Sequence, residues 1–170
     1  MIKIAITGPE SSGKTTFCQL LAKELHCQWI PEYAREYLEN KSEYSLYDLD
    51  LMSQEQCKRW QSVENQSLVI YDTEMLVYKI WSQVKFGQTT EVIDKLYLKQ
   101  EIDHYFLCKP DIPWEYDPLR ENPENRDELF EMYLKELEDK NRPFSILAGN
   151  LENRILAAKE TIGAKFRSFE

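Results

Sequence analysis

No stretch of the sequence approaches the roughly 18 consecutive apolar residues that a membrane span requires. The apolar start, Ile2 to Ile6, has only a strand's length and runs directly into a glycine loop, which argues against a signal peptide. There is no basic stripe of the kind that tracks nucleic acid, and the formal net charge is -9 with a pI of about 4.9. A small-molecule partner is therefore expected, with no nucleic acid and no membrane. The four cysteines, Cys18, Cys27, Cys57 and Cys108, match neither a CxxC pair nor a zinc pattern. Cys18 and Cys108 sit among apolar neighbours and read as core thiols, which fits a reducing cytoplasm better than a disulfide framework. His26 and His104 are the only histidines, and neither has a triad partner in sequence, so neither is assigned to catalysis. Internal repeats, low-complexity tracts and interdomain linkers are also lacking.

What is present suits one soluble α/β unit. The 170 residues are 42% hydrophobic and 30% charged, with a mean hydropathy of -0.58, which supplies one core and a polar surface. A single domain over residues 1–170 is the expectation. Short β-branched or aromatic runs at Ile2–Thr7, Gln28–Ile30, Leu68–Tyr71, Tyr105–Cys108 and Phe144–Ala148 read as strands. Between them lie helical spacings. Phe17, Leu20, Leu21 and Leu25 mark one helix, and Met75–Phe86 another that Gly87 would cap. Thr90–Gln100 and Arg126–Lys140 follow, and Leu151, Ile155, Ala158 and Ile162 mark the last. The polar stretch from Glu32 to Gln66 reads as helices, with Ser45 and Asp48 as a candidate cap. Residues 109–126 hold Pro110, Pro113, Pro118 and Pro123 and read as a lid or binding loop. This alternation predicts a three-layer sandwich around a mostly parallel five-stranded sheet, with its ligand at the carboxyl ends of the strands.

The chemistry starts at Gly8-Pro9-Glu10-Ser11-Ser12-Gly13-Lys14-Thr15, a full Walker A pattern between a strand and a helix. Its glycines let backbone N–H groups turn inward around phosphate oxygens, and the helix N-terminus adds positive potential. Gly8, Glu10, Ser11, Ser12 and Gly13 are thus ATP-binding candidates, and Thr16 is a candidate for the α-phosphate. Lys14 would reach the β- and γ-phosphates, and the Thr15 hydroxyl would ligate Mg2+. Asp72 ends the third strand, where a second magnesium carboxylate belongs; the plain alternative is an N-cap for the 75–86 helix. Glu32-Tyr33-Ala34-Arg35-Glu36-Tyr37 follows the second strand. An acceptor hydroxyl needs a carboxylate to take its proton, which Glu32 or Asp72 could supply, while Arg35 could hold a polar group. The plain alternative is a solvated helix start. Arg120 and Arg126 belong to the proline-rich segment and are candidates for neutralising charge on a moving phosphoryl group, or for pairing with neighbouring acids. Trp60, Tyr78 and Trp81 fall at helical spacing and read as core.

These residues resemble a known family. Gly8-Pro-Glu-Ser-Ser-Gly-Lys-Thr15, Glu32-Tyr-Ala-Arg-Glu-Tyr37, Tyr71-Asp72-Thr73 and Pro113-Trp114-x-x-Asp117-Pro118-Leu119-Arg120 look like the kinase domain of NadR-type proteins, across essentially the whole chain. The resemblance implies a P-loop kinase-like fold with a helical lid. It implies ATP- and Mg2+-dependent phosphorylation of nicotinamide riboside to nicotinamide mononucleotide, a step of NAD biosynthesis. Carried over by position, Lys14 and Thr15 serve ATP and magnesium, Asp72 serves metal or base, Glu32, Tyr33, Arg35 and Glu36 belong to the acceptor site, and Arg120 belongs to the lid. The larger NadR proteins also carry DNA-binding and adenylyltransferase domains. This chain has no room for either and no HxGH motif, so those activities are not carried over. Pro31 stands where the family pattern has a tryptophan before Glu-Tyr, which leaves another nucleoside or a vitamin alcohol open as acceptor. A non-kinase ATP-driven switch acting on a protein partner is the reading from a different class.

Overall fold

The computed structural model describes residues 1–41, 43–63, 65–114 and 124–166. The elements follow in the order β1 (Ile2–Thr7), α1 (Lys14–Glu24), β2 (Gln28–Ile30), α2 (Tyr33–Leu38), α3 (Leu46–Gln61) and β3 (Leu68–Asp72). Then come α4 (Met75–Phe86), α5 (Glu91–Lys99), β4 (His104–Cys108), α6 (Arg126–Asp139), β5 (Phe144–Leu147) and α7 (Leu151–Lys165). The sheet order is β2-β3-β1-β4-β5 and every pairing is parallel, where a mostly parallel sheet was expected.

Strand alternation divides the core between the two faces of the sheet. Ile4, Ile6, Leu68, Ile70, Phe106 and Cys108 point to the side covered by α1 and α7, where Phe17, Leu21, Ala158 and Ile162 meet them. Ala5, Val69, Tyr71, Tyr105 and Leu107 point to the other side, against Leu49, Met52, Leu76, Tyr97 and Leu137. Both faces are covered, which is why the strands read as near-continuous apolar runs. No helix among the described residues is long and apolar enough to cross a membrane.

Local chemistry explains the element ends. Ser45 and Asp48 form a reciprocal capping box at the start of α3, with the Ser45 N–H donating to Asp48 Oδ2 at 2.8 Å. Gly87 ends α4 in the left-handed conformation at φ 69°. The N-cap of α4 is Glu74, whose side chain accepts from the Leu76 N–H, so Asp72 is not the cap. The lid expected over 109–126 falls largely on residues 115–123, and these, with Arg120, lie outside the described residues.

β1 lies mid-sheet. From it the chain runs to the edge strand β2, returns to β3 beside β1, then crosses to β4 and β5 on the other side. Such a switch point opens a crevice at the carboxyl end of the central strand. The loop following β1 lies there.

Candidate functional site

The turn out of β1 needs glycine at two places. Gly8 has φ 129°, and a Cβ on it would lie 2.7 Å from the Cys108 carbonyl oxygen at the end of β4. Gly13, at φ 82°, is the N-cap of α1 and offers no side chain to its N–H groups. The first turn of α1 also holds no acid, so the positive end of the helix stays uncompensated by its own residues. Ser12 Oγ donates to the Pro9 carbonyl at 2.7 Å and fastens the loop across itself. Lys14 Nζ donates to the carbonyls of Gly8 and Pro9 at 2.9 and 2.7 Å, so its ammonium lies over the loop.

Asp72 comes to α1 from β3. It is 1% exposed and bonded to the Thr15 side chain, and its Oδ1 has no hydrogen-bond partner among the described residues. Burial pushes its carboxyl above the usual carboxylate range, opposed by the Thr15 hydrogen bond and the charges of Lys14 and Arg35. A buried carboxylate oxygen left open beside a hydroxyl is a hard-oxygen donor pair of the kind Mg2+ takes. Among the described residues no group of three or more His, Cys, Asp or Glu forms a protein cage for a metal. This donor set therefore suits a cation that takes its other ligands from phosphate and water.

A cavity of about 570 Å³ opens beside the loop. One wall is the loop itself, Gly8 to Thr16, with Glu32, Ala34 and Arg35 beside it. The far wall is apolar, from Val77, Ile80, Trp81 and Val84 of α4 and Leu129 and Tyr133 of α6, with Lys85 also lining the cavity. Glu32 is the N-cap of α2 and pairs with Arg35 at 3.5 Å. The turn that carries it is held by buried Gln56, whose Oε1 accepts the Tyr33 N–H at 2.7 Å and whose Nε2 donates to the Pro31 carbonyl at 3.2 Å. A smaller cavity of about 180 Å³ is lined by Ser11, Gly13, Thr16, Ile112, Pro113, Gly149, Leu151 and Arg154. Ser11, Gly13 and Thr16 border both cavities, so the loop separates them.

Not every expected residue comes to this cavity. Tyr33 and Glu36 are outside its lining. The Tyr33 ring lies 4.3 Å from the Arg59 guanidinium of α3, and Glu36 pairs with the same arginine at 2.8 Å. Arg126, the first residue of α6, donates to the Ser11 and Ile112 carbonyls at 3.1 and 3.0 Å, bracing the loop against residue 112. Trp60 and Tyr78 are buried as expected, but Trp81 is a cavity wall. Its Nε1 donates to Tyr44 Oη at 2.8 Å and its ring stacks on Tyr78, which holds the indole in place.

Two residues of this region were missed in the sequence. Arg154, 2% exposed, donates to the carbonyls of Ser12, Lys109 and Gly149 and pairs with the Asp111 carboxylate. Its signal was available, since position 154 falls on the buried stripe of α7 with Ile155, Ala158 and Ile162. Glu74 is fully buried and accepts from Thr7 Oγ1, Gln100 Nε2 and the Leu76 N–H. Desolvation pushes its carboxyl up. Nothing local distinguished it from an exposed acid.

Residues 3–154 match a family model described as an AAA domain. The chain belongs to this AAA-domain family. Its fold is that of P-loop nucleoside and nucleotide kinases. A NadR protein in complex with NAD and AMP-PNP is 23% identical with a TM-score of 0.79, over 96% of this chain and 49% of that one. A NadR protein in complex with NR is 22% identical with a TM-score of 0.76, over 95% and 48%. The chain thus spans about half the length of these NadR chains. A deoxyadenosine kinase from M. mycoides, 15% identical with a TM-score of 0.70, is covered over its full length by 96% of this chain. No curated protein matches the sequence.

Proposed function

We propose that the chain is an ATP- and Mg2+-dependent kinase that phosphorylates a hydroxyl of a small nucleoside-like acceptor, nicotinamide riboside first. The observation that carries this reading is the single cavity of about 570 Å³ lined both by the glycine loop with Lys14 and by the Glu32–Arg35 pair. It brings a phosphate cradle and a carboxylate within one space. NadR proteins solved with AMP-PNP and with NR share the fold, which favours this acceptor over others.

In this reading the smaller cavity takes the ATP base and the loop holds its phosphates. Lys14 moves from the Gly8 and Pro9 carbonyls onto the β- and γ-phosphates. Thr15 and Asp72 would hold the magnesium, which would supply charge neutralisation on the transferred group. The acceptor ring lies against Trp81 and the apolar residues of α4 and α6. Glu32 takes the proton of the acceptor hydroxyl as its oxygen attacks the γ-phosphorus and ADP leaves. Glu32 suits this role better than Asp72, because it lines the cavity whereas Asp72 is buried against Thr15. Arg35 orients Glu32 and the acceptor. Arg120 would belong to a closing segment. The protein would work in the cytoplasm on small molecules.

The test is ADP release by the pure protein with ATP and Mg2+, across nicotinamide riboside, ordinary nucleosides and thiamine. Stimulation by nicotinamide riboside, with the mononucleotide as product, is expected. Lys14→Ala is expected to abolish transfer, and Glu32→Gln to spare ATP binding while lowering kcat by about 10²–10⁴-fold. An unchanged rate in Glu32→Gln would remove Glu32 as the base. ATP binding with no acceptor stimulation would replace the kinase by an ATP-driven switch.

A further inference from the structure

Thr73 follows Asp72 with φ 95°, a conformation that a β-branched residue rarely adopts. It is 1% exposed, and its hydroxyl has no hydrogen-bond partner among the described residues, so no hydrogen bond of its own side chain offsets the strain. Strain of this kind persists only where the surroundings over-determine it. The surroundings here are the contacts of the next residue. Glu74 Oε1 accepts from Thr7 Oγ1 at 2.8 Å, and Oε2 accepts from Gln100 Nε2 at 2.9 Å and from the Leu76 N–H at 2.6 Å. Gln100 Oε1 in turn accepts the Met75 N–H at 3.0 Å, and Gln100 Nε2 also donates to Tyr105 Oη at 3.0 Å.

The placement of these bonds matters. Thr7 is the last residue of β1 and directly precedes Gly8. Asp72 is the last residue of β3 and pairs in register with Ile6. The Thr7–Glu74 bond therefore ties the strand exit that begins the phosphate loop to the strand exit that presents Asp72. We propose that Glu74 is a positioning residue: it clamps the Asp72–Thr73–Glu74 turn in its strained form and so holds the Asp72 carboxylate at a fixed spacing from Thr15. The proposal rests on the nucleotide and magnesium half of the function proposed above and is independent of the acceptor.

The test uses the gain in ADP affinity that Mg2+ confers, measured by calorimetry with magnesium and with EDTA, so no turnover is needed. Glu74→Ala removes the clamp. Gln100→Met removes part of it from a position remote from the nucleotide, and serves if Glu74→Ala does not fold. Each is expected to cut the magnesium-dependent gain by about tenfold, the worth of one hydrogen bond to a charged group, with affinity in EDTA unchanged. Thr73→Gly, which takes a positive φ without strain, is expected to restore the gain to within about threefold when added to either variant. Alone and metal-free, Thr73→Gly is expected to raise Tm by about 2–4 °C. A role confined to packing or capping predicts no restoration, and that result would overturn the proposal. So would an unchanged gain in both clamp variants. Absence of any magnesium-dependent gain in the wild-type protein would instead strike the nucleotide reading itself.

Discussion

Gly8 shows how much a single position can be constrained by a neighbour far away in sequence. A Cβ there would press into the backbone of Cys108, which cannot swing aside as a side chain would. Gly8→Ala is expected to cost about 2 kcal/mol or more, seen as a lower urea midpoint, and to weaken ATP binding. The Walker pattern made this glycine legible, because a phosphate loop is a local structure and its demands appear at fixed offsets. Asp72 was legible only as a pair of alternatives. The magnesium reading and the cap reading need the same residue type at the same strand end. What separates them is that Glu74, two residues on, takes the cap. Trp81 was read as core because helical spacing marks an apolar face without saying whether that face meets another helix or a cavity.

Elements decide which neighbours share a site. At the start of the six-residue α2, the N-cap Glu32 and Arg35 are three apart and both line the cavity. Tyr33 and Tyr37 are four apart, and their rings pack together with their centroids 5.9 Å apart. The Glu-Tyr-x-Arg-Glu-Tyr run therefore splits between two environments, which a linear motif conceals. Three loops at the strand exits are joined by one side chain of α7. Arg154 takes the carbonyls of Ser12, Lys109 and Gly149 and the carboxylate of Asp111, whose other oxygen accepts the Gly149 N–H at 2.6 Å. Arg154→Met keeps the packing volume but leaves these acceptors unpaired. A loss of about 3 kcal/mol in unfolding free energy is expected, together with a raised KM for ATP and an unchanged KM for the acceptor, which separates the two cavities by kinetics.

At the scale of the whole molecule, the amino-terminal end of β4 carries a pH response, at the opposite end of the sheet from the site. His104 is fully buried at the start of β4, with its Nε2 3.0 Å from Ser145 Oγ. Burial holds its pKa down at about 4, against 6.5 for an ordinary histidine, with a smaller contribution from Lys165. The unfolded chain then binds a proton between these values that the folded chain refuses. Stability is full above about pH 6.5 and falls as the pH drops toward 4, by on the order of 3 kcal/mol. His104→Gln is expected to flatten the pH 7 to 4.5 limb of a urea-midpoint profile; an unchanged limb would assign the response to other groups. The sequence by itself determined the alternation of strands and helices, the phosphate loop and its glycines, and the caps at Ser45 and Gly87, because each depends on residues a few positions apart. Only the tertiary structure decided the strand order, the division of α2 between cavity and core, the cavity face of Trp81, and the burial of Glu74 and Arg154. These depend on segments brought together from 23 to 142 residues apart, across which local pattern carries no register.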